Sequence, residues 1–351
     1  MKHLIKQTTA LTITNIVTRV MGMLYFILLA RLLSVSDYGL FRYLMTIAII
    51  YGILFTGIPT ALTKFMSEDK TNKKEISEYV SNSLILMVAA FLILIVIILI
   101  SNSNSLYLIL FLFAVFIDTL YLGFVRGLLN YVKLSGFKLT ENIIQLSILI
   151  ISFIIYREVN FTLSVIFFSF SGLISLFIFE ISKFEFDIHF KYDKIKISKL
   201  IKYAIPITIG AIGWEVMFGI NTIFIQKFYS IEQVGYYSIG ITLVQIFTFL
   251  PAAISTIMLP KVASTKRKER ITKYIKIAVI GSLLISAIML MFLLIFKLWI
   301  LKAIFTSKYL QAALHIGKSI FVNLKKLREA VEIEMILIDD EGILVRGYFL
   351  K

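Results

Sequence analysis

Nine stretches of the chain are apolar for about the length that a helix needs to cross a bilayer, roughly 20 residues. They run at about 9–30, 39–63, 80–101, 106–126, 138–156, 161–181, 203–226, 235–260 and 274–296. This pattern predicts an all-α polytopic membrane protein. One long basic segment, 182–202, separates the sixth stretch from the seventh. It reads as a linker between a six-helix N-terminal lobe, 1–181, and a partial second lobe of three helices, 203–305. The remaining 306–351 read as a non-membrane tail with short α and β elements. Within it Ile320, Phe321, Leu324 and Leu327 share one helical face, and two apolar runs flank the polar turn Asp339–Gly342.

A second pattern is repetition. Arg31-Leu-Leu-Ser34-Val-Ser-Asp37-Tyr-Gly39-Leu-Phe41 recurs as Lys227-Phe-Tyr-Ser230-Ile-Glu-Gln233-Val-Gly235-Tyr-Tyr237. Each copy joins two apolar stretches, with a basic residue, then Ser, Gly and an aromatic at fixed steps. A membrane chain that carries one helix–turn–helix twice is expected to hold two lobes built on one plan.

Composition agrees: 59% of residues are hydrophobic, 16% are charged, and the mean hydropathy is +0.91. The net charge of +15 would suit nucleic acid, but its distribution argues for topology instead. With the N-terminus in the cytoplasm, most Lys and Arg fall in the segments 64–79, 126–138, 182–202 and 261–276 on that same side. Only Arg31, Arg42, Arg157, Lys227, Lys297, Lys302 and Lys308 fall opposite. The positive-inside rule therefore predicts a multi-pass protein of the cytoplasmic membrane with its N-terminus inside. Anionic lipid headgroups are the expected surface partner and nucleic acid is not. Without cysteine, no thiolate metal site or disulfide is available, and His3, His189 and His315 lie outside the apolar stretches. No metal or cofactor is expected. The opening Met1–Lys6 resembles a signal-peptide start, but the following apolar run is too long and lacks a cleavage site, so a retained first helix is expected.

Thr18-Arg-Val-Met-Gly22, the Leu-Ala-Arg-Leu-Leu-Ser-x-x-Asp-Tyr-Gly turn ending at Gly39, and Gly57-Ile-Pro59 together resemble the first two helices of Wzx-type polysaccharide flippases. These flippases share a superfamily with lipid II flippases and MATE multidrug exporters. Tyr203-Ala-Ile-Pro206, Val234-Gly-Tyr236 and Leu259-Pro260 look like that family's second lobe. The resemblance implies a MATE-like two-lobe bundle around a central cavity that passes a polyprenyl-pyrophosphate-linked oligosaccharide across the membrane. Glycosyltransferases of the same pathway are candidate partners. Two departures stand out: Asn221 occupies a position where many relatives carry Asp, and the family's further helices after Tyr309 are missing.

Ionisable groups inside hydrocarbon are expensive, so their positions point to function. Thr8, Thr12, Asn15, Arg19 and Gly22 fall at helical steps on one face of the first segment. For a flippase, Arg19 suits a pyrophosphate, because guanidinium donates paired, charge-assisted hydrogen bonds and stays protonated. Asn15, Thr12 and Asn221 complete the expected substrate contacts. In the seventh segment Thr208, Glu215 and Thr222 repeat the pattern, and Glu215 occupies the register of Arg19. An Arg19–Glu215 pair could open and close during transport; a static pair is the plainer alternative. Asp118, which shares the fourth segment with Arg126, is a further candidate for coupling to H+ or Na+. Glu141 starts the fifth segment with Asn142 and Gln145, either pointing inward or lying at the membrane interface. Pro59 and Pro251 sit deep in the second and eighth segments as candidate bending points or fixed kinks.

The leading expectation is a non-enzymatic transporter for lipid-linked oligosaccharide. A MATE-like exporter of cations or drugs is the runner-up within the fold, since it would rely on carboxylates rather than Arg19. A membrane glycosyltransferase or polymerase would need sizeable loops rich in acidic residues or His, and the outer loops here are only a few residues long. A truncated, non-transporting remnant is the remaining alternative.

Overall fold

A computed structural model describes residues 2–68, 72–101, 104–128, 131–180, 192–243 and 268–313. Among them there are nine helices and no strand. These are α1 (Lys2–Leu32), α2 (Val35–Glu68), α3 (Lys73–Ser101), α4 (Ser105–Gly127), α5 (Tyr131–Tyr156), α6 (Phe161–Glu180) and α7 (Lys194–Phe228). The eighth, α8, is described over 231–243, and α9 is Lys268–Ile300. Each of the nine apolar stretches lies on one of these helices, the eighth only in part. Six of them, α2 to α6 and α9, are long and apolar enough to cross a membrane. The chain is thus a multi-pass membrane protein, all-helical over the described residues. Pro251 and the expected α+β elements beyond residue 313 lie outside the described residues.

Short polar residues start the helices. Ser34 caps α2: its Oγ accepts from the Asp37 N–H at 3.0 Å and donates to the Asp37 carboxylate at 2.7 Å. In the second copy the Ser230 Oγ accepts from the Gln233 N–H at 3.3 Å, at the start of α8. The repeated turn is therefore a pair of helix N-caps, each satisfying an N–H that the first helical turn leaves open. The shared spacing has a second cause: Gly39 and Phe41 in one copy, and Gly235 and Tyr237 in the other, are buried. Asn72, Asn160 and Asp193 accept from backbone N–H groups at the starts of α3, α6 and α7 in the same way. The Asp193 cap has a consequence for the expected linker, whose residues 194–202 form the first turns of α7.

Contacts divide the chain into two compact units. The first joins Met1–Tyr25 with Leu32–Val234, and α2 is its central element. Three small-residue contacts hold α2 to α4 in parallel: Gly52 beside Val115, Pro59 beside Gly123 and Met66 beside Gly127. On α2 these positions recur every seven residues, so one stripe faces α4 throughout. Another face meets α7 antiparallel, with Gly57 against Ala204 and Thr208, and Thr46 and Ile50 against Gly219. Aromatic rings fill the spaces that remain; Phe41 packs edge-on to Phe111 and Phe168 at 4.9 and 5.6 Å between centroids. The described part of the second unit comprises the end of α1, α8, α9, a π turn at Leu301–Phe305 and a 3-10 turn at Ser307–Ala312. Fully buried Tyr309 anchors it by donating to the Ala30 carbonyl at 3.0 Å.

Candidate functional site

Among the described residues of the first unit, a polar group lies where α4, α5 and α6 meet. Lys138 on α5 reaches Asp118 Oδ2 on α4 at 2.7 Å and Glu141 Oε2, one turn along its own helix, at 2.9 Å. Gln145, a further turn along, donates to Glu141 Oε1 at 3.4 Å and to the Ser171 Oγ on α6 at 2.9 Å. Glu141 and Gln145 are buried, at 8% and 6% exposure. Asn142 turns the other way and donates to the Thr18 carbonyl of α1 at 3.3 Å. Four helices are thereby tied through one patch of α5. The cause is local: residues 138, 141, 142 and 145 lie within two turns on adjoining faces of one helix.

With both carboxyl groups ionised, two carboxylates against one ammonium leave this cluster with one negative charge in excess of balance. Asp118 Oδ1 is shielded from solvent and receives no hydrogen bond from a described residue. Gly172 of α6 lies beside it: a Cβ there would stand 3.5 Å from Asp118 Oδ1 and 3.8 Å from Glu141 Oε1. The oxygens that Lys138 does not hold therefore both turn toward bare α6 backbone.

One expectation is corrected here. Lys138 does not lie in a loop, because α5 begins at Tyr131 and carries it as the partner of two carboxylates. Glu141 lies almost three turns into α5 and is buried. Lys138 is the residue that sequence reasoning missed; its i,i+3 spacing to Glu141 was the available signal.

The other expected residues are placed separately. Arg19 is exposed on α1, between exposed Ile16 and Val20. The side chains of Thr12 and Asn15 lie outside the described residues, while Gly22 faces Asn142. Glu215 and Asn221 are partly exposed on α7, and Thr222 is buried. Thr208 and Gly219 touch α2, so the polar side of α7 lies against α2 at two points flanking Glu215. Glu215 makes no hydrogen bond or ion pair with a described residue, and the Arg19–Glu215 pair is not formed in this structure. Pro59 is wedged against Gly123, and Thr63 donates to the Pro59 carbonyl at 2.9 Å. Arg126 is exposed in the last turn of α4.

A second ionic cluster joins the starts of α3 and α7. Lys196 binds Glu75 at 2.6 Å and also Glu78, and its ammonium stands 4.9 Å from the centre of the Tyr79 ring. Asn82 accepts from the Asp193 N–H at 2.9 Å, which fixes the cap of α7 to the same patch. Burial works against the Lys196 ammonium, but the hydrogen bonds and charges of Glu75 and Glu78 outweigh it and raise its pKa above the ordinary 10.5.

The sequence profile of polysaccharide biosynthesis proteins matches residues 4–266. No curated protein matches the chain. Among solved structures, an inward-facing MATE multidrug-resistance transporter of the MOP superfamily superposes with a TM-score of 0.64 at 12% identity, over 94% of this chain and 89% of its own. A MATE transporter in complex with MaL6 gives 0.54 at 13%, over 94% and 85%. A MOP-superfamily transporter from Pyrococcus furiosus, described as having a binding pocket of reversed polarity that suggests a different function, gives 0.51 at 12%, over 98% and 89%. These likenesses show the fold, and the profile covers well over half of the chain. With its membrane-spanning helices and MATE-like architecture, the chain belongs to the polysaccharide biosynthesis protein family.

Proposed function

We propose that this chain is a transporter that flips a polyprenyl-pyrophosphate-linked oligosaccharide across the cytoplasmic membrane, for cell-surface polysaccharide synthesis, with its N-terminus in the cytoplasm. The observation that carries the reading is Arg19. It is exposed on a helix of a membrane protein, among exposed apolar side chains. A guanidinium on such a helix stays protonated and marks a polar face there. A pyrophosphate matches its planar donor fork with paired, charge-assisted hydrogen bonds. Thr12 and Asn15 continue the same helical face by sequence, and Asn221 offers a neutral amide for a sugar hydroxyl. The cargo class follows from the family's role in polysaccharide synthesis, and a cationic drug is disfavoured by Arg19.

Energy coupling to H+ or Na+ falls to Glu215 in this reading, because Asp118 and Glu141 already hold Lys138. Pro59 contributes a fixed kink through its wedge against Gly123, which leaves Pro251 as the remaining proline candidate for bending. The expected protein partners stay the glycosyltransferases that build the cargo.

The test is restoration of surface polysaccharide in a strain lacking its own flippase. The chain is expected to restore it. Arg19→Gln should lower export about 10-fold or more, the scale of one charge-assisted contact, with Arg19→Lys in between. Glu215→Gln should slow export without altering cargo preference. Failure of the membrane-inserted chain to restore polysaccharide, or full activity of Arg19→Gln, would overturn the proposal.

A further inference from the structure

The α4–α5–α6 cluster has the composition of a monovalent cation site whose cation is part of the chain. We infer that the Lys138 ammonium is a resident cation there, and that it makes the site indifferent to sodium. The inference concerns how the first unit is held together and stands whatever cargo is carried.

Three observations support it. The ammonium is bound by carboxylates from two different helices at 2.7 and 2.9 Å, so it is held as a ligated ion would be rather than lying along a surface. The shell continues beyond those two oxygens: Gln145 and Ser171 support Glu141, and Asn142 fixes the same turn of α5 to the Thr18 carbonyl. Finally, Asp118 Oδ1 is shielded and unbonded among the described residues, and with Glu141 Oε1 it approaches Gly172, where no side chain intrudes. Several oxygens therefore already surround the position of one positive charge.

Charge balance decides what the site could take. With both carboxyl groups ionised, the cluster carries one net negative charge when Lys138 is present and two when it is absent. Of the two carboxylates, Glu141 is buried while the Asp118 side chain is 32% exposed, and a buried carboxylate left unpaired is strongly unfavourable. A small cation can replace the ammonium only when the ammonium is gone, and a singly charged one replaces it like for like.

The experiment follows thermal unfolding of the purified full chain in detergent, in sodium chloride, potassium chloride or choline chloride at equal ionic strength. The wild-type chain should unfold at the same temperature in all three. Lys138→Met should unfold at a lower temperature in choline and regain several degrees in sodium, saturating with concentration as site binding does. Adding Asp118→Asn to Lys138→Met should abolish that regain. A sodium-specific stabilisation of the wild-type chain, lost in Asp118→Asn, would overturn the inference. So would a Lys138→Met chain that sodium and choline stabilise equally, which is the result expected of a purely structural ion pair. Rescue by magnesium or calcium but not by sodium would overturn the monovalent assignment. If Lys138→Met does not accumulate, folded yield of Lys138→Gln extracted in sodium against choline reads the same difference.

Discussion

Lys138 and Lys64 are both membrane-chain lysines with a carboxylate nearby, and their surroundings separate them. Lys64 meets Glu68 at 3.8 Å with both side chains well exposed, and exposed pairs contribute about 0–1 kcal/mol. Lys138 meets Glu141 at 2.9 Å, and the Glu141 side chain is only 11% exposed. Breaking such a pair costs more, because the abandoned charge stays out of water. Lys138 itself is about one-third exposed, which discounts the effect. A double-mutant cycle on Lys138 and Glu141, read by unfolding in detergent, is expected to give a coupling of about 1–3 kcal/mol. The same cycle on Lys64 and Glu68 should stay below about 0.5 kcal/mol. Equal couplings would show that burial does not set the difference. Arg19 and Glu141 illustrate what a sequence exposes and what it hides. Helical steps alone put Arg19 on a marked face of α1. Glu141, in contrast, could be assigned inward or to the interface, because helix ends are poorly marked where Leu134 and Phe137 extend an apolar run past a lysine.

Between helices, glycine sets the closest approaches. A Cβ at Gly123 would lie 2.7 Å from the Pro59 Cα and 3.1 Å from the Pro59 carbonyl oxygen, both backbone atoms that cannot step aside. At Gly127 the obstacle is Met66, whose flexible side chain can. Gly123→Leu is therefore expected to destabilise the fold by at least about 2–3 kcal/mol, and Gly127→Ala by less than about 1.5 kcal/mol. Unfolding in detergent orders the two, and the opposite order would contradict the wedge. Small residues at helix contacts are the usual means of close packing where lipid surrounds every helix. The Gly57-Ile-Pro59 motif was legible as a family feature. Its physical cause was not, since the partners of α2 come from α4 and α7, which are distant along the chain.

For the molecule as a whole, the helical class, the order of the described helices and the membrane class followed from hydropathy, because the bilayer permits few alternatives. The packing of α7 along α2 did not, and neither did the clamp of Lys196 on Glu75 and Glu78, as both pair residues more than a hundred positions apart. The clamp has a pH signature. Its lysine is raised above 10.5 in the folded chain, so its stabilisation is complete below that pH and is lost as pH rises through the folded value. Wild-type stability should accordingly fall above pH 10.5 more steeply than that of Lys196→Met, with no difference in slope between them at pH 6–9; melting curves across that range check it. A last consequence of the α2–α7 contact lies in biosynthesis. Chains emerge at about 5–20 residues per second, so α2 stands in the membrane for on the order of 10 s before α7 exists. Throughout that interval the strip bearing Thr46, Ile50 and Gly57 has no partner. A fragment ending at residue 192 would keep it uncovered permanently. Pulse-chase labelling should find that fragment short-lived beside the full chain, and co-expression of residues 193–351 should lengthen its life, making α7 the helix whose arrival completes the first unit.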